Sequence, residues 1–274
     1  MDLAKQLCKV LYYLDKGKEL EAIKTLDNII PTAKNEGNQE VFVRATIVLA
    51  DISYKRGERF SEMANNLTEV LQLERGDFDD SLNVELEKAN ELQQIFKKYF
   101  EEEGKFFKGL DLKTFFNTSY GDEYQDAYPT DEIIQEIEAE LGFKLPASYI
   151  YLMRHAQNGG IPCKDSFPTN EATSWSEDSI AITGIMGIGK QAASSLCGEF
   201  STEFWESIWG YPKIGVSICD CPSAGHDMVF LDYRACGSEG EPTVVHVDQE
   251  ADYKITFLAK NFEAFITGLY SEVY

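Results

Sequence analysis

The sequence predicts an α+β chain in two parts: paired helices over residues 1–103, then a domain with a mostly antiparallel sheet flanked by helices over residues 104–274. Three observations carry this expectation. Apolar residues recur at helical spacing throughout the first part. The stretch 104–130, rich in aromatics and turn residues, breaks that texture. Beyond it, segments rich in Val and Ile alternate and are joined by short Gly/Pro-containing links.

The helical part is read element by element. Leu3, Leu7, Val10, Leu11 and Leu14 form one apolar stripe, and Leu20, Ile23, Leu26, Ile29 and Ile30 a second. Gly17 separates them, and Pro31 is expected to end the second, because proline removes a helical N–H. The unit recurs in "VFVRATIVLADISYKRG" and "ERFSEMANNLTEVLQLERG", with Gly57 at the break. A fifth helix, "SLNVELEKANELQQIFKKYFEEEG", has Ser81 as its cap. Gly17 and Gly57 lie 40 residues apart. With Tyr12 or Tyr13 and Tyr54 before the turns, and Ala22 and Ala64 after them, the two pairs resemble tetratricopeptide hairpins, although the spacing is longer than that repeat's. Stacked helix pairs present a surface for binding rather than for chemistry.

In the second part, Thr130 or Asp131 caps the helix "DEIIQEIEAELG". Ile133, Ile134, Ile137 and Leu141 form its inner face and Gly142 stops it. A short helix starts at Pro146 and stops at Asn158 and the two glycines after it. "SIAITGI" reads as one strand and "STEFWESIWG" as a helix. "KIGVSICDC", "DMVFLDYR" and "TVVHVDQE" read as strands joined by hairpins, and "FLAKNFEAFITGLYSEVY" as a closing helix.

Composition narrows the function. The chain of 274 residues carries 25 basic and 47 acidic side chains, a net charge of −22. Residues 1–104 hold 14 basic and 21 acidic groups, a net of −7, and residues 105–274 hold 11 and 26, a net of −15. Such a field repels nucleic acid and anionic membrane and attracts basic proteins. No apolar run approaches the roughly 20 residues that span a bilayer, and the N-terminal stretch lacks the layout of a signal peptide. A cytoplasmic protein is expected, with its six cysteines reduced.

Two motifs suggest chemistry. "GIMGIGKQ", Gly184 to Gln191, satisfies G-x-x-x-x-G-K, and "MVFLD" ending at Asp232 has the look of a magnesium-binding strand. However, Gln191 stands where a phosphate-binding loop places a metal-binding hydroxyl, and hairpins replace the long crossovers of a parallel sheet. Nucleotide hydrolysis is therefore not expected. Cys219, Cys221, His226 and Cys236 have zinc-ligand chemistry, yet the C-x-C-x4-H-x9-C spacing fits no familiar site. Cys219 and Cys221 point to one strand face and are expected simply to pack. His155, His226 and His246 have no evident nucleophile beside them, and no G-x-S-x-G elbow occurs. No catalytic set, metal or other cofactor is expected.

Several ordered motifs resemble the SUKH superfamily, the Smi/Knr cell-wall regulators and their bacterial relatives, over about residues 105–274. They are "LGFKLPASYIYLMRHAQNGGIP", "ITGIMGIG", "GHD…LDYR…GEP.VVHVDQE" and "NFEAFITGL". The resemblance implies an α+β domain without enzyme activity. It also implies a likeness to bacterial immunity proteins, which bind and block a cognate toxin, frequently a nuclease. The helical first part is outside that pattern. The expected partner is thus a cognate, basic protein toxin; the alternative is a regulatory scaffold or adaptor of the Smi/Knr type. The candidate contacts are Asp220, His226, Asp227, Glu239 and Glu241 in the hairpin loops, expected at the surface, with Trp175, Trp205, Trp209 and Tyr211 as aromatic anchors.

Overall fold

In a computed structural model, residues 2–73 and 80–271 are described, and for residues 80 and 81 the backbone alone, so the Ser81 cap lies outside the described residues. The chain divides into two compact units, Met1–Glu103 and Gly104–Tyr274.

The first unit holds α1 (Leu3–Asp15), α2 (Glu19–Glu36), α3 (Gln39–Arg56), α4 (Phe60–Leu71) and α5 (Asp80–Glu101). Each helix packs on the next, and α3 also meets α1 and α5. This central position explains the composition of α3. Its buried residues, among them Phe42, Ile47, Leu49 and Tyr54, lie all around the helix rather than in one stripe. Asn38 caps it by accepting the Val41 N–H at 3.2 Å, and Gly37 and Gly57 close α2 and α3 in the left-handed conformation. Pro31 does not end α2, which runs through it to Glu36. The missing hydrogen bond is offset by burial of Ile29, Ile30 and Ala33 on either side of the proline.

The second unit opens with a mostly irregular segment containing one 3-10 turn, Leu112–Thr114. Then follow α6 (Asp131–Leu141), α7 (Ala147–His155), β1 (Ser166–Pro168), β2 (Ser179–Ala181), β3 (Gly184–Ile185), α8 (Thr202–Ile208), β4 (Gly215–Asp220), β5 (Asp227–Asp232), β6 (Thr243–Asp248), β7 (Lys254–Ala259) and α9 (Phe262–Gly268). Thr130 caps α6 and Gly142 ends it. Ile134 and Ile137 are buried, with Ile133 and Leu141 half-buried beside them. The strands β3-β4-β5-β6-β7 form one sheet in that order with every pair antiparallel, and β1-β2 form a separate hairpin. The architecture is α+β.

Two expectations fail here. "SIAITGI" is not one strand: β2 pairs with β1, β3 pairs with β4, and Ile182 and Thr183 turn the chain between sheets. The closing segment does not start as a helix, since Phe257 to Ala259 belong to β7, which pairs with β6. Exposed Phe257 lies between buried Thr256 and Leu258 there, and Asn261 then caps a helix of only seven residues.

Register assigns the two faces of the large sheet. Ser217, Phe230, Val245 and Phe257 form a row on one face, and Cys219, Val229, His246 and Thr256 a row on the other. On the cysteine face, α7 and α9 pack together, with Tyr149 and Phe262 rings 4.6 Å apart.

The turn Asn158-Gly159-Gly160 joins these parts. The Asn158 side chain accepts the Ile188 N–H at 2.7 Å and donates to the carbonyls of Ile188 at 3.0 Å and Ala127. Gly160 and Ile185 exchange backbone hydrogen bonds of 2.9 Å. At Gly159, φ is +90° and a Cβ would sit 2.1 Å from the Tyr124 carbonyl oxygen, so glycine is required. Asn158→Ala should cost about 2–4 kcal/mol, because it strands buried backbone groups. The exposed cap variant Asn38→Ala should cost about 1 kcal/mol. Urea unfolding of the full chain measures both.

Candidate partner-binding face

The face carrying Phe230 bears an aromatic cluster. Helix α8 is short, and its sequence places Phe204 and Ile208, and likewise Trp205 and Trp209, one turn apart. Trp205 is buried against Tyr211 at 6.1 Å, and Tyr211 stacks on Phe230 at 5.7 Å. Phe204 meets Trp205 edge-on at 5.0 Å, Trp209 lies 5.6 Å from Trp205, and His226 meets Trp209 edge-on at 5.4 Å. Polar tips are satisfied inward: the Trp205 indole N–H donates to the Phe200 carbonyl at 2.9 Å and the Tyr211 hydroxyl to the Gly225 carbonyl at 2.8 Å. Gly225 is dictated by this packing, since a Cβ there would lie 2.6 Å from the Trp205 ring.

Between these rings and the loop from β4 to β5 lies an open cavity of about 290 Å³, whose wall includes Phe204, Trp205, Trp209, Asp220 and Gly225. Ile208, the neighbour of Trp209 in sequence, is 70% exposed. Glu203 and Glu250 are exposed around the same elements, and Glu250 pairs with His226 Nδ1 at 2.7 Å. The result is a largely apolar cavity whose wall includes one carboxylate, Asp220, and aromatic rings of the kind that anchor interfaces.

Asp220 lines the cavity wall. Both carboxylate oxygens accept the Tyr124 hydroxyl, at 2.9 and 2.8 Å, and Oδ1 also accepts the Gly184 N–H at 3.2 Å. Burial pushes its carboxyl up to about 6, with those hydrogen bonds opposing the rise.

The remaining candidates lie elsewhere. Asp227 is not at the surface but buried, its Oδ2 2.7 Å from His246 Nε2. Glu239 and Glu241 are exposed in the β5–β6 connection, at the opposite end of β5 from His226 and Asp220. Trp175, 48% exposed, sits on the β1–β2 connection and lines a separate cleft of about 560 Å³ with Ser179 and Pro222. The structure therefore brings together Trp205, Trp209, Tyr211, His226 and Asp220. Sequence reasoning missed Phe204 and Ile208, whose spacing within "FWESIW" was the available signal.

The phosphate-loop reading fails for a structural reason beyond Gln191. Asp126 Oδ2 accepts the N–H groups of Gln191 at 3.0 Å and Ala192 at 3.3 Å, so the loop already holds a carboxylate of its own chain. Lys190 reaches Glu136 at 2.8 Å and also Glu140, both on α6. The residues directly after the loop, 190–201, form turns rather than a helix, and Asp232 pairs with Arg234 at 2.6 Å.

The proposed cysteine set is likewise not assembled. Cys219 and Cys221 are buried, whereas Cys236 is exposed and directs its thiol toward the Tyr233 and Gly237 carbonyls. On the cysteine face, Cys221, Asp227 and His246 converge, with donor atoms within 4.8 Å of one another and all three residues buried. The Cys221 thiol contacts Asp227, whose Oδ2 also pairs with His246 Nε2.

A family model described as SMI1-KNR4 cell-wall, SUKH_6, matches residues 131–266. That segment is similar to SUKH domains. The match runs from the start of α6 into α9 and is narrower than residues 105–274. No curated protein matches the chain. Within the matched segment, the Asn158-Gly159-Gly160 turn and the Gly184–Gly189 loop serve each other. The glycines that imitate a nucleotide motif are demanded by packing: a Cβ at Gly187 would meet the Asn158 carbonyl oxygen at 2.5 Å, and one at Gly189 the Asp126 carboxylate at 2.2 Å. Among the described residues, no helix is long and apolar enough to cross a membrane.

Two measurements check this description. Magnesium-ATP should show no binding by calorimetry to the wild type, and Lys190→Ala should change nothing. Asp220 has an ordinary value of 3.8 and is raised to about 6 in the fold. Its neutral form is therefore favoured on folding, and stability falls as pH rises between those values. Asp220→Asn should flatten the stability profile in that window, read by denaturant midpoints at successive pH values.

Proposed function

We infer that this chain is a non-catalytic binding protein of the immunity type, whose SUKH domain seats on a cognate basic toxin and covers its working surface. The observation that carries the reading is the solvent-open aromatic cavity with Asp220 in its wall, on a domain of this family, in a chain of net charge −22. Trp209 and Ile208 supply apolar anchors that lose little entropy on docking. The surplus of carboxylates steers a basic partner into the encounter and, for a nuclease, imitates the phosphate backbone that it binds.

A second reading, a regulatory scaffold of the Smi/Knr type, is favoured by one observation. The separate helical unit exposes Leu11, Tyr12 and Leu20, an apolar surface that the SUKH domain alone does not need.

Co-expression separates the two. A toxin encoded beside this gene should arrest growth alone and be neutralised when this chain is supplied at equal dose. Arrest that persists, with no complex formed between the purified proteins, overturns the immunity reading. In a formed complex, Trp209→Ala should raise the dissociation rate by about 10–100-fold. Glu239→Lys with Glu241→Lys should instead slow association by about 2–5-fold at low salt, an effect that fades at high salt. Stopped-flow kinetics at two ionic strengths resolve both effects.

A further inference from the structure

The Cys221, Asp227 and His246 cluster on the cysteine face has no part in the aromatic face. It combines a sulfur, a carboxylate and an imidazole, the three ligand types that tetrahedral zinc accepts. Their donor atoms lie within 4.8 Å of one another, and zinc bonds of about 2.0–2.3 Å require only a modest inward movement to close on a shared ion. Two polar atoms point to a missing partner. Asp227 Oδ1 and His246 Nδ1 are buried and make no hydrogen bond. Native interiors rarely leave such atoms unmatched, and the pairing of Asp227 Oδ2 with His246 Nε2 does not reach them.

The local chain is built to hold this arrangement. Cys221 ends the run of β4, and Ser223 closes the following turn by donating its N–H to the Cys221 carbonyl at 2.7 Å. The Ser223 hydroxyl oxygen accepts the Asp227 N–H at 3.0 Å. The turn thereby fixes Cys221 opposite the first residue of β5. His246 is set by the β5–β6 register, in which it faces Val229 two residues along from Asp227. Two strand positions, Asp227 and His246, and the residue directly after β4 thus carry the donors.

We propose that Cys221, Asp227 and His246 form a buried structural site for a zinc-type divalent ion. Asp227 supplies one or both carboxylate oxygens, Cys221 its thiolate and His246 its ring nitrogen. Binding the ion releases the Cys221 thiol proton to solvent, and the ion engages the unmatched oxygen of Asp227. Its position ties the β4–β5 turn, which carries Asp220 and Gly225, to the centre of the sheet. The site is independent of the immunity reading, because it makes no use of the aromatic face.

The test uses the purified full chain, stripped with chelator and reloaded with zinc or with cobalt as a coloured probe. The expected result is about one zinc per chain by elemental analysis and a thiolate-to-cobalt absorption band. Cys221→Ser should abolish the band and weaken zinc by at least about 100-fold, while Cys236→Ser leaves both unchanged. A chain that takes up no stoichiometric metal, or a Cys221→Ser variant that binds as the wild type does, overturns the proposal. Should Cys221→Ser fail to fold, thermal unfolding of the wild type decides. A midpoint raised by zinc and restored by chelator supports the site, and an unmoved midpoint overturns it.

Discussion

The second unit depends on the side chain of Asn158. One amide fixes the Ile188 backbone at both its N–H and its carbonyl and reaches the Ala127 carbonyl as well. The irregular stretch before α6 and the loop after β3 have no regular structure to satisfy their buried backbone groups, so a side chain must do it. The two glycines that follow allow the backbones to approach to hydrogen-bonding distance. Because Ile185 pairs with Gly160 on one side and with Cys219 on the other, the turn also extends the sheet beyond its short third strand. Tyr124 is thereby held over Gly184, within reach of Asp220. The chemistry of the aromatic cavity is thus set by a turn on a different part of the chain.

The two faces of the sheet divide the work. One face carries rings that stop short of sealing themselves, leaving Trp209 and Ile208 near solvent. The other carries α7 and α9 over an apolar row interrupted by Cys221, Asp227 and His246. A sheet with one face committed to the core and one partly open suits a binding domain. The paired helices of the first unit add a separate surface, organised around a helix buried on all sides.

Much of this was legible from residue patterns. The Val-rich, apolar runs in "DMVFLDYR" and "TVVHVDQE" identified the central strands, and they are nearly continuous because both faces are buried there. Gly57 and Gly142 located helix ends because glycine adopts the left-handed conformation cheaply. Pro31 misled, since local propensity is outweighed where neighbouring side chains are buried. The strand β7 was hidden because Phe257 faces solvent at the sheet edge, 54% exposed, and its spacing to the following aromatics imitates a helix. The cavity was half visible. Trp205, Trp209 and Tyr211 were chosen for their residue type, but only the fold shows that the first and last are anchored inward and that Phe204 and Ile208 complete the surface. Asp227 was misplaced because adjacency in sequence to His226 says nothing about which face of a strand a carboxylate takes.

The loop that resembles a nucleotide site is occupied by its own chain. Asp126 is tethered beside the Gln191 and Ala192 N–H groups, and a tethered group acts at an effective concentration of roughly millimolar or above. Any free anion must outcompete a carboxylate that never diffuses away. The same backbone geometry that elsewhere recruits a ligand here works as a latch, fastening one stretch of polypeptide to another. A sequence pattern describes what a loop is able to hold, and the tether decides what it does hold.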